Sequence, residues 1–158
     1  MRSTGFARAG IAVAASVLVA DQMTKALVVH EIPEGSRRVV IAGVVELVHA
    51  RNSGIAGGHL AGTGALVLVV SSLALAGLVA LALSSNLGRA RWLALGLILG
   101  GGLGNLLDRV RTGAVTDFLV LGDRGPANVA DQAIFVGAVA ILVLAVRSER
   151  PRTAVPTA

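Results

Sequence analysis

Four long stretches of mostly apolar residues, separated by shorter polar segments, divide the chain. They cover about residues 9–29, 60–83, 92–107 and 128–146. A helix rises about 1.5 Å per residue, so roughly 20 residues cross a hydrocarbon core of about 30 Å. The second stretch contains no charged residue. The pattern predicts an all-α integral membrane protein with four transmembrane helices.

We expect these helices to form one membrane domain over residues 1–158, with a basic tail over 147–158. The first stretch also allows a second interpretation. Arg2 and Arg8 precede an apolar core, which is the pattern of a secretory signal peptide. Leu18 stands where the cleavage signal calls for a small residue. We therefore predict a retained spanning helix.

The polar connections differ in residue type. Between the first two stretches, residues 38–42 and 44–49 are rich in β-branched residues, and Gly43 separates them. This arrangement predicts a short β-hairpin. Residues 110–127 contain several glycines and a proline, and are predicted to form a loop.

An even number of spans places both chain ends on the same side of the membrane. Seven Lys and Arg residues lie on that side and six on the other, so the charge bias that favours cytoplasmic loops is weak. We predict that both termini are cytoplasmic and that residues 31–59 and 110–127 lie outside.

Polar residues in and beside the spans collect near the outer face when the helices alternate in direction. They are Asp21, Lys25, Asn52, Asn105, Asp108, Arg109, Asn128 and Asp131, and Gly54 stands beside Asn52 just before the second helix. Including residues 128–131 lengthens the fourth helix from about 22 Å to about 28 Å. Asp131 is then expected just beneath the outer surface. Ionisable groups at such a depth usually face the helix bundle and mark function.

Structural roles are open for several of these residues. Asp21 and Lys25 are four residues apart on one helix and could simply neutralise each other. Asp108 and Arg109 could be interfacial residues that end the third helix, and a structural role is favoured for Arg109. Asn105 could form a hydrogen bond between packed helices.

A stripe of small residues in the third span predicts close helix packing. Gly96, Gly100 and Gly104 recur every four residues, and the same face continues to Asp108. Packing along this stripe would hold Asp108 against a neighbouring helix.

Composition agrees with a membrane protein and disfavours other classes. Charged residues are 15% of the chain, against about 25% in soluble domains, and the mean hydropathy is +0.79. The net charge of +5 comes from scattered residues, and aromatics are only 3%, so nucleic-acid binding is not expected. The absence of cysteine excludes disulfides, thiolate metal sites and a cysteine nucleophile. The three histidines show no ligand spacing, so we predict neither a metal nor a cofactor.

Asp117 and Asp131 are the strongest candidates for chemistry. Asp117 lies in an apolar context outside the spans, and Asp131 heads the fourth helix. Two carboxylates close together in a poorly hydrated site share a proton. One can then activate water while the other protonates the leaving group. Their spacing in the sequence leaves open whether they meet.

These residues belong to five blocks that resemble a known family, lipoprotein signal peptidase, also called signal peptidase II. The blocks are residues 21–25 (DQMTK), 51–56 (RNSGIA), 101–109 (GGLGNLLDR), 113–118 (GAVTDF) and 128–131 (NVAD). Each block is weak alone. All five, in order and at matching positions relative to the spans, are specific.

The resemblance implies four transmembrane helices, a small extracytoplasmic β-rich platform and an outward-facing active site. It implies an aspartyl endopeptidase with Asp117 and Asp131 as the catalytic dyad. Around them it implies supporting or substrate-binding roles for Asp21, Lys25, Asn52, Gly54, Asn105, Asp108, Arg109, Asn128 and Ala130.

The implied substrate is a prolipoprotein that already carries diacylglycerol on a cysteine, and the cut falls on the amino side of that cysteine. Expected partners are these substrates and membrane lipids, with the chain itself a monomer. The expected location is the bacterial cytoplasmic membrane. The acyl chains would hold the scissile bond just beneath the headgroups, at the depth inferred for Asp131, and the glycine-rich third span could make room for the signal peptide.

Two positions depart from the family pattern. Gly57 and Ala127 stand where the family usually has an aromatic residue, often phenylalanine. These departures concern the grip on the substrate and leave both aspartates in place.

Two alternatives remain. A small transporter or proton-relay protein also places Asp and Lys inside a membrane, but would distribute its charges through the membrane depth. A non-catalytic assembly protein would use the glycine stripe for helix contacts, but has no need of the two aspartates.

Overall fold

The computed structural model describes residues 2–54, 64–84 and 86–148, which form four helices and a small sheet. The helices are α1 (Arg2–Glu31), α2 (Gly64–Ser84), α3 (Arg89–Thr112) and α4 (Val129–Ser148). The strands are β1 (Arg37–Ile41), β2 (Val45–Asn52) and β3 (Val115–Leu121). All four helices are long and apolar enough to span a membrane, which confirms the predicted fold class.

The helices extend beyond the predicted spans where polar residues continue the helical pattern. α1 begins at Arg2, and α3 continues to Thr112. Asp108 and Arg109 therefore lie within the last turns of α3. The helix ends at Gly113, whose positive φ of 75° allows its N–H to donate to the Arg109 carbonyl at 3.0 Å.

The predicted hairpin is confirmed, and it belongs to a larger sheet. β1 pairs antiparallel with β2 across a turn in which Gly43 has a φ of +70°. The prediction of a loop throughout residues 110–127 was wrong for β3, which pairs antiparallel with β2 and places Asp117 opposite Ala50. The run of β3 is rich in residues that favour strands. Its partner is distant in the sequence, so no hairpin pattern marked it.

α3 is the central helix, and glycines allow its neighbours to come close. A Cβ at Gly100 would lie 2.5 Å from the Ala14 carbonyl oxygen of α1, and one at Gly104 would lie 2.5 Å from Asp21 Oδ2. On another face, a Cβ at Gly101 would collide with the Ala130 carbonyl of α4. The predicted stripe of close packing is therefore confirmed, and α4 uses a second glycine face of α3.

α2 is held differently from the other helices. Among the described elements, its backbone approaches only α3, while α1 and α4 also contact each other. A small apolar cluster of Val28, Ile32 and Phe118 joins the sheet to the end of α1. The sheet therefore covers the end of the bundle at which the polar residues of α1, α3 and α4 converge.

Candidate active site

Asp117 lies on β3, outside the four spans, and is only 3% exposed. Its Oδ1 accepts a hydrogen bond from Asn128 Nδ2 at 2.6 Å, and its Oδ2 accepts one from Asn52 Nδ2 at 3.0 Å. Burial raises the pKa of Asp117 from 3.8 to about 6; the charge of Asp131 adds to this, and the two amide hydrogen bonds oppose it. Asp117 can therefore exchange a proton near neutral pH.

Asp131 lies in the first turn of α4 and forms a reciprocal cap with Asn128. The Asp131 N–H donates to Asn128 Oδ1 at 2.8 Å, and the Asn128 N–H donates to Asp131 Oδ2 at 3.3 Å. This is a capping box, which satisfies amide groups that a helix start leaves unpaired. Asp131 Oδ1 accepts a further hydrogen bond from Asn105 Nδ2 at 2.8 Å. The carboxylate is therefore fixed by α3 and by its own helix start.

The two aspartates border one cavity of about 550 Å³. Asn52, Asn105 and Arg109 line the same cavity, together with apolar residues of α4. The charge of Asp131 acts on Asp117, so the two carboxylates are close enough to interact. Two residues whose meeting the sequence left open are thus brought to one site.

Asn128 joins the two halves of this site. It is fully buried, and its Nδ2 donates to Asp117 Oδ1 and, at 3.2 Å, to Asn105 Oδ1. One side chain therefore caps α4, binds one aspartate and contacts the asparagine that binds the other.

Lys25 lies behind the cavity and is 4% exposed. Its Nζ lies 2.8 Å from Asp21 Oδ2, 2.8 Å from Asp108 Oδ2 and 3.0 Å from Asn105 Oδ1. The interpretation that Asp21 and Lys25 neutralise each other is correct as an ion pair. It is incomplete, because Asp108 shares the cation.

Arg109 forms another part of the cavity wall and is tied to Gly54. Arg109 Nη2 donates to the Gly54 carbonyl at 3.0 Å, while its buried Nε has no hydrogen-bond partner among the described residues. The Gly54 N–H donates to Asn52 Oδ1 at 3.0 Å. This bond orients the Asn52 amide so that its Nδ2 faces Asp117.

The remaining predicted residue, Ala130, is fully buried, and its N–H donates to Asp21 Oδ1 at 2.9 Å. All eleven residues singled out from the sequence therefore lie in one connected region. Gly57, His59, the start of the second predicted span and the tail after residue 148 lie outside the described residues.

Two participants escaped the sequence reasoning. Gln22 Nε2 donates to Asp108 Oδ1 at 2.9 Å, and the Thr116 N–H donates to Asp108 Oδ2 at 3.3 Å. Gln22 is a polar residue inside a span, and that signal could have identified it. Thr116 acts through its backbone, which leaves no mark in a sequence.

Four membrane-length helices with a carboxylate-lined cavity at one end define a polytopic membrane protein with a buried polar site. Comparison with known proteins narrows this class. The family model described as Signal peptidase (SPase) II matches residues 13–147.

Similar proteins include the lipoprotein signal peptidase of Nitratidesulfovibrio vulgaris, 41% identical over 150 residues that cover 89% of this chain and 91% of the relative. That of Chlorobium phaeobacteroides is 35% identical and covers 82% and 91%. A bacterial membrane enzyme solved by the in meso method at 2.3 Å resolution superposes with a TM-score of 0.86 at 26% identity, over 94% of each chain.

The chain belongs to the signal peptidase II family. It is an aspartic peptidase and a multi-pass bacterial membrane protein. This membership sets aside the transporter and assembly-protein alternatives.

Proposed function

We propose that this chain removes the signal peptide from prolipoproteins that carry diacylglycerol on a cysteine, and that it cuts on the amino side of that cysteine. Membership of the family supports signal peptide removal from prolipoproteins. The observation that supports an aspartyl mechanism is the presence of Asp117 and Asp131 on one cavity.

The surroundings of the two carboxylates suggest which one acts first as the general acid and which as the general base. Asp117, whose pKa is raised to about 6, holds the shared proton. Asp131 accepts hydrogen bonds from Asn105 and from the Asn128 N–H, which fix its position, and in this proposal it is the partner without the proton. Asp131 takes a proton from a water molecule, whose oxygen attacks the scissile carbonyl carbon. Asp117 gives its proton to the carbonyl oxygen, and a tetrahedral diol results.

The second step reverses the two roles. Asp131 gives the proton from water to the peptide nitrogen, and the carbon–nitrogen bond breaks. Asp117 takes a proton back from the diol as the new carboxyl group forms. The products are the signal peptide, with a free carboxyl end, and the lipidated cysteine, with a free amino group. The pair returns to its starting protonation state.

The three asparagines keep the dyad aimed at the cavity. Asn52 and Asn128 bind the two oxygens of Asp117, and Asn105 binds Asp131. Side chains held in this way do not need to reorganise as the reaction proceeds. Arg109 contributes a positive charge beside both aspartates and is held by its hydrogen bond to the Gly54 carbonyl.

A groove that continues from the cavity provides room for the signal peptide. It lies between α2, α3 and α4, has a volume of about 220 Å³ and shares Asn105, Arg109 and Ile134 with the cavity. The rest of its lining is largely apolar and includes Leu75, Leu78 and Ile98. An apolar helix lying there would bring its end to the aspartates. We place this end of the bundle at the outer membrane face, both termini in the cytoplasm, and the enzyme as a monomer.

The test is cleavage by the purified protein of a prolipoprotein with and without diacylglycerol on its cysteine. We expect cleavage only of the lipidated form, with the lipidated cysteine as the new amino terminus by mass spectrometry. Equal cleavage of the unmodified form, or a cut elsewhere, would contradict the proposed specificity.

A further inference from the structure

Lys25 uses all of its hydrogen-bonding capacity within the protein. An ammonium group has three N–H donors and no acceptor, and the three partners of Nζ are Asp21, Asp108 and Asn105. Each partner must therefore present an oxygen to Lys25. Because the lysine is 4% exposed, water offers little substitute for any of the three bonds.

The two carboxylates bound to Lys25 hold equivalent points of the backbone. Asp21 Oδ1 accepts the N–H of Ala130, the residue immediately before Asp131, at 2.9 Å. Asp108 Oδ2 accepts the N–H of Thr116, the residue immediately before Asp117, at 3.3 Å. Each acid thus holds the backbone N–H of the residue just before one member of the dyad.

Lys25 also sets the orientation of its third partner, Asn105, because the two ends of the amide group differ. Because Lys25 can only donate, the oxygen of Asn105 must face it. The Asn105 nitrogen then faces the other way and donates to Asp131 Oδ1 at 2.8 Å. Without the ammonium group, the longer hydrogen bond from Asn128 Nδ2, at 3.2 Å, would be the one described contact left to keep the Asn105 oxygen turned away from the carboxylate.

Gln22 joins the same two acids by a second route. Its Nε2 donates to Asp108 Oδ1 at 2.9 Å and to Asp21 Oδ2 at 3.2 Å, and it also contacts the Gly104 carbonyl at 3.3 Å. Lys25 and Gln22 therefore connect Asp21, which binds the Ala130 N–H, to Asp108, which binds the Thr116 N–H.

We propose that Lys25 and Gln22 are positioning residues: by joining Asp21 to Asp108 they set the separation and orientation of the Asp117 and Asp131 carboxylates. This inference rests on the proposed function, in which those carboxylates react. It differs from a buried ion pair that merely stabilises the contact between α1 and α3, because such a pair affects stability and leaves the chemical step unchanged.

The geometry can be tested without any activity. The chain contains no cysteine, so Asp117→Cys with Asp131→Cys supplies two unique thiols for a short bifunctional methanethiosulfonate. Backbone holding by Asp21 and Asp108 persists in this background. We expect efficient cross-linking there, and a several-fold lower yield after adding Lys25→Met or Gln22→Leu.

Gln22→Leu keeps the test informative if Lys25→Met does not fold. Gln22 is partly exposed, and its loss leaves no buried charge unpaired. The matched control is Thr24→Ala, whose hydroxyl donates only to carbonyls of its own helix and whose loss should leave the yield unchanged. Equal yields in all backgrounds would overturn the inference.

A kinetic experiment uses the same substitutions with both aspartates intact. A displacement of about 1 Å can cost about 100-fold in rate, so we expect a loss of that order in kcat for Lys25→Met and a smaller loss for Gln22→Leu. KM for the lipidated substrate should stay nearly constant, since the groove is untouched. A lower melting temperature with unchanged kcat would establish the merely structural role. If the wild type cleaves nothing, the proposed function fails, while the cross-linking result still decides the positioning.

Discussion

At Asp117, burial and hydrogen bonding act on the proton in opposite directions. Burial raises the pKa, and the hydrogen bonds from Asn52 and Asn128 lower it, with a net value of about 6. A carboxyl group with ordinary solvation would be fully ionised at neutral pH. The surroundings of this residue therefore keep its proton available to a reaction.

We predict that Asp117→Asn and Asp131→Asn each remove nearly all cleavage. Asparagine has almost the same shape as aspartate but cannot accept or donate the reacting proton. Loss of a general acid or base typically costs about 10²–10⁴-fold, and the double variant should be little worse than either single variant. The measurement is turnover of a lipidated prolipoprotein by purified, folded variants.

Asp123→Asn is the matched control, since Asp123 is exposed on the turn after β3. It should retain full activity. Substantial turnover by either dyad variant would move the chemistry to another residue.

The raised pKa of Asp117 also predicts how stability depends on pH. The protonated form is favoured in the folded state. The stability that Asp117 contributes is therefore fully present below about pH 4 and is lost as the pH rises through about 6. Asp117→Asn, which is always neutral, should therefore gain stability relative to the wild type over that interval. Each unit of pKa shift corresponds to about 1.4 kcal/mol, so the relative gain should be a few kcal/mol at most. Thermal unfolding in detergent at pH 4 and pH 7 measures it; a constant difference would refute it.

The sequence nominated both aspartates and the residues around them, because polar groups in or beside apolar segments are conspicuous and because five blocks resemble the family. It did not identify which atoms meet. The roles of the Ala130 and Thr116 N–H groups depend on backbone donors, which every residue but proline carries. Such contacts are visible only once α1, α3, α4 and β3 are assembled.

At the scale of elements, helix α3 is the support on which the site is built. Its glycines let α1 and α4 approach its backbone on two faces, and this places Asn105 and Asp108 between those helices. Without a hydrophobic force between helices in lipid, such close packing is a main source of association. The position of the site therefore depends on these glycines, because their lack of a side chain lets the helix backbones come this close.

We predict that Gly100→Ala destabilises the protein, whereas Gly77→Ala does not. A Cβ at Gly100 would lie 2.5 Å from a backbone oxygen of Ala14, and backbone cannot yield as a flexible side chain can. Overpacking of this kind typically costs about 1–3 kcal/mol. A Cβ at Gly77, on α2, meets nothing within 4 Å. Melting temperatures in detergent compare the two, and equal values would mean that α1 and α3 can separate without penalty.

Element prediction succeeded where a signal is local. The four apolar stretches and the hairpin around Gly43 follow from patterns within a few turns of chain. The third strand was missed because β3 pairs with β2 more than 60 residues earlier, and its glycine-rich flanks suggest a loop. The helix ends were also placed too early or too late, since the polar turns of α1 and α3 continue beyond the apolar core.

For the whole molecule, the polar end of the bundle defines a direction across the membrane. We predict that reporter fusions at residues 45 and 120 are extracytoplasmic and that a fusion at residue 87 is cytoplasmic. The first two positions belong to the sheet that covers the polar end, and the third connects α2 to α3 at the opposite end. A cytoplasmic reading at either sheet position would invert the orientation.

The packing of α2 against α3 alone, among the described elements, has a consequence for how the substrate reaches the enzyme. Because its backbone approaches only α3, the flank between α2 and α4 opens sideways to the lipid. A membrane-anchored substrate arriving by this route diffuses in two dimensions. The quantity that saturates the enzyme is then the mole fraction of substrate in the bilayer or micelle, so adding detergent at constant substrate should slow turnover by surface dilution.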